Sequence, residues 1–284
     1  MDYGIAIFLT DETIGPDHLA RLVEERGFSS LWVPEHTHIP TSRSTEWRPG
    51  KGQELPRHYW RCLDPFVALT AAAAATTTLR VGTGICLLIQ RDPIVTAKEV
   101  ATLDVLSDGR FEFGVGAGWN QDEIENHGTP FDRRFRVLRE RVEAITAIWE
   151  QDEASYHGEF VDFTSITSWP KPVQKPHPPI YVGGHGPKVF DRVLRYADGW
   201  LPNYEEDAVG TLAERIADLR ERGAAAGRDH IPVRYFGADR DRGALERLTD
   251  AGVDEIQFYL EPLAPDEAER QLDEVAELVA STRA

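Results

Sequence analysis

Cysteine is nearly absent from this chain: Cys62 and Cys86 are the only two in 284 residues, too few for a disulfide framework or a cysteine metal cluster. Basic side chains are also in short supply. Lys and Arg number 31 against 48 Asp and Glu, a formal net charge of -17, so the chain lacks the basic footprint that nucleic acid or an anionic membrane requires. No apolar run approaches the roughly 18 residues of a membrane helix. Acidic Asp2 stands where a secreted protein would carry a charged-then-apolar leader. A cytoplasmic protein with a small-molecule partner is the expectation. The composition, 41% hydrophobic and 28% charged, is that of a soluble globular protein, and the length suits a single barrel-sized domain over residues 1–284.

What is present is a rhythm of short β-rich runs and amphipathic helical patterns. Strands are expected at Ile5 to Leu9, Leu31 to Val33, Leu79 to Ile85, Phe111 to Val115, Ile180 to Val182, Trp200-Leu201, Val233 to Phe236 and Ile256 to Leu260. A helical pattern follows each of them. Asp64-Pro65 and Asp92-Pro93 are start signals, an N-cap followed by a first-turn proline. Strict alternation requires a parallel sheet, and eight pairs in this length favour a closed (β/α)8 barrel, the TIM-barrel architecture. Two segments break the rhythm. Thr37 to Arg61 follows the second strand without periodicity, and Asp152 to Pro179 reads as a small hairpin around His157-Gly158 plus a proline-rich connector before the fifth strand.

In such a barrel the residues after each strand share one cup, where chemistry is placed. The second strand ends in Glu35-His36-Thr37-His38, the third in Gly84-Ile85-Cys86, and the fourth in Gly116-Ala117-Gly118-Trp119-Asn120. The fifth ends in Gly183-Gly184-His185-Gly186-Pro187-Lys188 and the sixth in Pro202-Asn203-Tyr204. Glycine at three of these ends lets a ligand approach the backbone closely. The fifth-strand loop can turn successive amides inward where Pro187 opens a helix, which makes it a phosphate site. Gly114-x-Gly116 does not complete a dinucleotide fingerprint, because the third glycine position holds Trp119. Glu35, His36 and His38 lack metal-ligand spacing, so no metal is expected. His36, preceded by a carboxylate at a strand end, is the candidate catalytic or coenzyme-contacting group. His38 has no assigned role.

These residues together resemble the luciferase-like flavin and deazaflavin oxidoreductases, in particular the branch using coenzyme F420. The resemblance rests on Trp32-Val33-Pro34-Glu35-His36, Leu79 to Ile85, Ala97 to Asp104, Ser107 to Arg110, Gly114 to Trp119, Pro170-Lys171-Pro172, Pro178 to Ile180, Gly183-Gly184 and Ala197 to Trp200. It implies a ring in the barrel mouth with its phosphate at Gly183 to Pro187, and a non-prolyl cis peptide at Gly84-Ile85 as a backstop. Coenzyme contacts are then expected from Glu35, His36, Gly84, Ile85, Gly116, Ala117, Gly118, Trp119, Gly183, Gly184, His185, Gly186 and Pro187. Trp119 stands where the related sugar-phosphate dehydrogenases place a proton-donating Glu, which argues against a sugar-phosphate substrate.

The resemblance implies hydride exchange between F420 and a small organic substrate. His36 would handle a proton, and Glu35 would hold the imidazole or bind the ring edge. Trp47, Trp60, Asn203 and Tyr204 are the candidate substrate contacts. Arg43, Arg48, Lys51, Arg57 and Arg61 form a local basic rim that would attract the acidic tail of F420. A homodimer is the family expectation. The alternatives are an FMNH2-dependent monooxygenase served by a partner reductase and a catalytically silent flavin-binding protein. A barrel aldolase is disfavoured because no strand end offers a lysine nucleophile.

Overall fold

The computed structural model describes residues 1–47, 54–203 and 211–282. Eight parallel strands run β1 (Asp2–Ile7), β2 (Ser30–Val33), β3 (Arg80–Thr83), β4 (Phe111–Val115), β5 (Ile180–Gly183), β6 (Gly199–Leu201), β7 (Arg234–Ala238) and β8 (Glu255–Leu260). Their order around the sheet is β6-β5-β4-β3-β2-β1-β8-β7. Parallel bridges Trp200↔Val233 and Asn203↔Phe236 join the two ends, so the sheet closes as the expected (β/α)8 barrel. β1 starts three residues before its expected position, because Asp2, Tyr3 and Gly4 pair in register with Glu255, Ile256 and Gln257 of β8.

The two start signals are realised. Asp64 accepts from the amides of Phe66 and Val67 (3.0 and 3.1 Å), and Asp92 from those of Ile94 and Val95 (both 2.9 Å), each ahead of a first-turn proline. Strands Ala154–His157 and Asp162–Ile166 form an antiparallel hairpin outside the barrel. Helix Pro65–Ala74 is apolar on nearly every side, and it and Pro93–Leu106 leave Val67, Ile94, Val95, Val105 and Leu106 exposed.

The amino-terminal end of the barrel is closed by charge instead of by aliphatic layers alone. Ser30, Arg80, Glu112, Arg234 and Glu255 stand at or beside the first residue of their strands. Arg234 bonds Glu112 at 2.7 Å and also Glu255, while Arg80 reaches Asp2 at 2.9 Å, Glu112 at 3.3 Å and Glu255. Glu255 also accepts from Ser30 (2.6 Å), Trp32 Nε1 (3.2 Å) and Gln257 (3.0 Å). Burial pushes the Glu112 carboxyl above the usual range, against the pull of Arg234 and Arg80. Removing one member of such a set is costly because the remaining charges stay buried. Arg234→Ala is expected to destabilise the protein by about 3–5 kcal/mol, read as a lowered urea midpoint at unchanged slope.

Candidate functional site

At the carboxyl end of β3 the chain leaves strand geometry after Thr83, earlier than the expected Ile85, and turns across the barrel mouth. Gly84 N–H donates to Val33 O (2.8 Å), Cys86 N–H to Gly114 O (2.8 Å), and Gly116 N–H returns to Cys86 O (3.0 Å). The Gly84-Ile85 peptide is cis, as the resemblance implied. A Cβ on Gly116 or Gly183 would lie 2.6 or 2.8 Å from the Ile85 side chain, and one on Gly84 would strike Phe236 at 2.2 Å. These glycines clear the space that lets half-buried Ile85 lie across the mouth as an apolar shelf.

Glu35 secures this turn. One carboxylate oxygen accepts the Leu87 amide (2.6 Å), and the other accepts Arg91 Nε (2.6 Å). Arg91 also binds Asp64 (2.5 Å) and Glu99 (3.2 Å). Glu35 therefore does not hold the imidazole, the first of the two roles expected of it. Its two oxygens are already taken by the turn and the guanidinium.

The imidazole partner is Glu123, on the short helix Gln121–Asn126 after β4. His36 Nδ1 lies 2.8 Å from Glu123 Oε2, with the two side chains 7% and 1% exposed. Asn120 Nδ2 approaches the same oxygen at 3.5 Å. Nε2 of His36 has no partner among the described residues. Tyr59 and Trp119 pack on the His36 ring at 5.2 and 6.1 Å between centroids, and Trp47 Nε1 donates to the Tyr59 hydroxyl at 3.1 Å. Cys62 Sγ donates to His36 O (3.1 Å), and burial pushes its thiol up to about 11, so it is no nucleophile.

Sequence reading missed Glu123 and Tyr59. Glu123 is one of three acids in a six-residue helix, and only its place beside buried Ile124 on the inward face distinguishes it. Tyr59 sits in the aperiodic insertion, on the four-residue helix His58–Arg61. Trp47 reaches His36 only indirectly, through its bond to the Tyr59 hydroxyl. Trp60, in contrast, is 47% exposed, and it is Tyr59 that packs against His36.

At the fifth strand, Gly184 has φ +101°, and neither it nor Gly186 has an atom within 4 Å of where a Cβ would stand. The helix begins at Val189, two residues after Pro187. His185 Nε2 pairs with Asn203 O (2.5 Å), and Trp200 Nε1 donates to Gly184 O (2.8 Å), so β6 holds the loop. Tyr204, Arg48 and Lys51 lie outside the described residues. Two described members of the basic rim are neutralised by acids, Arg57 by Glu12 (3.0 Å) and Arg61 by Asp11 (2.5 Å) and Glu12 (3.1 Å), while Arg43 forms no ion pair among the described residues. His38 joins Thr37 (3.0 Å) and Asn126 (3.0 Å), tying the start of the insertion to the helix that carries Glu123.

The sequence model of the family described as luciferase-like monooxygenase matches residues 17–280. The chain belongs to this family. An uncharacterized Mycobacterium tuberculosis protein is 42% identical over 283 residues, covering 99% of each chain. The FMNH2-dependent dimethylsulfone monooxygenase of Pseudomonas putida is 36% identical over 153 residues, 52% of this chain and 42% of that one. Among solved structures, the coenzyme F420-dependent tetrahydromethanopterin reductase of Methanopyrus kandleri superposes with a TM-score of 0.74 at 19% identity, covering 99% of both chains. Members of the luciferase-like family are oxidoreductases or monooxygenases, and proteins similar to this chain in sequence or in fold include FMNH2-dependent and F420-dependent enzymes.

The mouth suits the planar coenzymes of the luciferase-like family. The Ile85 shelf offers an apolar surface to one face of a ring. The open backbone at Gly184 and Gly186 leaves room for a phosphate close to the chain. Beside this site His58 packs between Phe8 and Tyr59 at 4.6 and 5.0 Å. Burial, with a lesser push from His36, lowers its pKa from 6.5 to about 4. The folded state thus favours neutral His58, a contribution complete above pH 6.5 and lost as pH falls toward 4. Thermal midpoints of wild type and His58→Phe are expected to diverge across that window, with the wild type losing more stability on acidification; parallel curves would refute this.

Proposed function

We propose that the protein is an F420-dependent oxidoreductase that transfers a hydride between the deazaflavin and a small organic substrate. The supporting observation is the buried His36–Glu123 pair at the mouth, 2.8 Å apart. An ionised carboxylate only accepts, so Nδ1 carries the hydrogen and the neutral ring offers Nε2 as a base. When Nε2 takes a proton, Glu123 stabilises the imidazolium, the division of labour known from carboxylate–histidine pairs in hydrolases. Hydride transfer to or from a carbon bearing a heteroatom needs a proton delivered or removed at that heteroatom, which is the work of such a pair.

When bound, F420 supplies the hydride-bearing carbon. Ile85 would back its ring, Gly116, Ala117, Gly118 and Trp119 would line its edge, and Gly183 to Pro187 would take its phosphate. Tyr59, Trp47 and Trp119 would exclude water above His36, with Asn203 and Tyr204 toward the substrate. The strongly acidic surface and two free thiols suit a cytoplasmic enzyme acting on a small molecule.

The partial match to the FMNH2-dependent dimethylsulfone monooxygenase supports a second reading, a flavin monooxygenase that needs a reductase partner. Titration of the purified protein with F420 and FMN separates the two. Stoichiometric binding with fluorescence quenching is expected for F420, and binding of FMN alone would reverse the choice. A protein that binds coenzyme without turnover on any of a broad substrate panel would be a silent binder. His36→Ala should lower turnover by about a hundredfold or more while the coenzyme Kd stays within a few-fold, and Glu123→Gln should lower it by about tenfold. Unchanged turnover in His36→Ala would sink the assignment.

We also propose that two copies pair through helices Pro65–Ala74 and Pro93–Leu106. Their exposed Val67, Ile94, Val95, Val105 and Leu106 give these helices an apolar surface, with Lys98 exposed beside them, on a chain of net charge -17, where a second copy meets less repulsion than elsewhere. Val95→Glu is expected to yield monomers by light scattering, against dimers for the wild type.

A further inference from the structure

In a chain with 31 cationic and 48 anionic residues, an arginine without an acid beside it is conspicuous. Arg134 and Arg192 are two. Arg134 opens the helix Arg134–Glu150 after β4, and Arg192 lies in the helix Val189–Tyr196 after β5, so both belong to the active face. Both guanidiniums lie over the Phe135 ring, at 4.5 and 3.7 Å from its centroid, and Arg134 also lies 3.7 Å from the Phe131 ring. No carboxylate forms an ion pair with either among the described residues. Asp191, beside Arg192 in sequence, is turned to Arg222. Arg134 donates only to Phe131 O (2.7 Å), and its Nε is buried without a partner.

Stacking on the rings supplies some stability, but neither ion pairing nor the helix dipole accounts for this arrangement. A cation in the first turn of a helix opposes the helix dipole, and that turn contains no acid. Burial lowers the pKa of both guanidiniums, and Arg192 lowers that of Arg134 further. Stacking on Phe135 holds the planar forks in place, and apart from the Arg134 bond to Phe131 O it leaves their N–H donors without a carboxylate among the described residues, the state in which arginine recognises carboxylates and phosphates. Arg192 is one helical turn past Lys188, where the Gly183 to Lys188 loop would hold the coenzyme phosphate. An anionic chain running from that phosphate along this helix would reach Arg192, which shares the Phe135 ring with Arg134. The same tail was expected at the rim of residues 41–61, where Arg57 and Arg61 are already paired with acids.

We propose that Arg192 and Arg134 bind the carboxylates of the coenzyme tail beyond its phosphate, making the protein selective for a deazaflavin with an oligoglutamate extension. This rests on the F420 reading, and the test separates the two. Fluorescence titration measures the Kd of full-length F420 and of a deazaflavin that keeps the phosphate but lacks the glutamates, using wild type and the Arg134→Ala/Arg192→Ala double variant.

The expected result is an about tenfold weaker Kd for full-length F420 in the variant and a flatter dependence on salt, with the short form bound equally by both proteins. Unchanged affinity for full-length F420, or an equal loss for both forms, would overturn the tail site while leaving the F420 reading intact. A wild type that binds FMN and neither deazaflavin would overturn the F420 reading itself.

Discussion

The active face depends on the Glu35 carboxylate, which ties the end of β2 to the turn after β3 through the Leu87 amide and to Arg91 through its other oxygen. Without that tie the turn carrying Ile85 would rest on a few backbone bonds, and the apolar shelf over the barrel would lose its support. Arg91 extends the constraint. Its bond to Asp64 reaches the cap of the helix that resumes the barrel after the insertion, so both ends of residues 37–61 are anchored to one guanidinium network. His36 is the next residue after Glu35 and inherits its position from this anchoring. A buried carboxylate is tolerable here because an amide and a guanidinium satisfy it together.

Much of the architecture was legible because it rests on local signals. The alternation of β-rich and helical periods, the Asp-Pro starts and the glycines at strand ends each have a mechanism that operates within a few residues. Glu35 and His36 were visible for the same reason, as polar groups interrupting an apolar strand end. Their relation was not, because the groups that bind them are distant in sequence: Glu123 lies 87 positions from His36, and Arg91 lies 56 from Glu35. Adjacency suggested that Glu35 orients His36. Consecutive residues at a strand end diverge, and each found a partner on a different neighbouring element.

Three glutamates in one barrel show how much environment decides. Glu112 is buried at the amino-terminal end among two arginines and a second glutamate, where it supports closure of the sheet. Glu35 is equally buried, yet its partners are an amide and a guanidinium, and it fixes a turn. Glu123 alone of the three faces an imidazole whose second nitrogen has no partner among the described residues. What sets Glu123 apart from the other two is the uncommitted ring nitrogen of its partner, a property that composition and spacing do not encode.

The distribution of positive charge follows the same logic. Arg80 and Arg234 neutralise the barrel floor, Arg91 the turn after β3, and Arg57 and Arg61 the acids at the end of β1. Each is held by the acids it serves, and its field beyond them is weak. Counting cations along the sequence therefore pointed to residues 41–61, where they are dense, although Arg57 and Arg61 there are paired with acids. Arg134 and Arg192 are sparse in sequence but lie over a common ring with no acid between them. In a chain of net charge -17 such a pair is where an anionic ligand would meet attraction and not repulsion, and it stands beside the loop whose backbone is open to a phosphate.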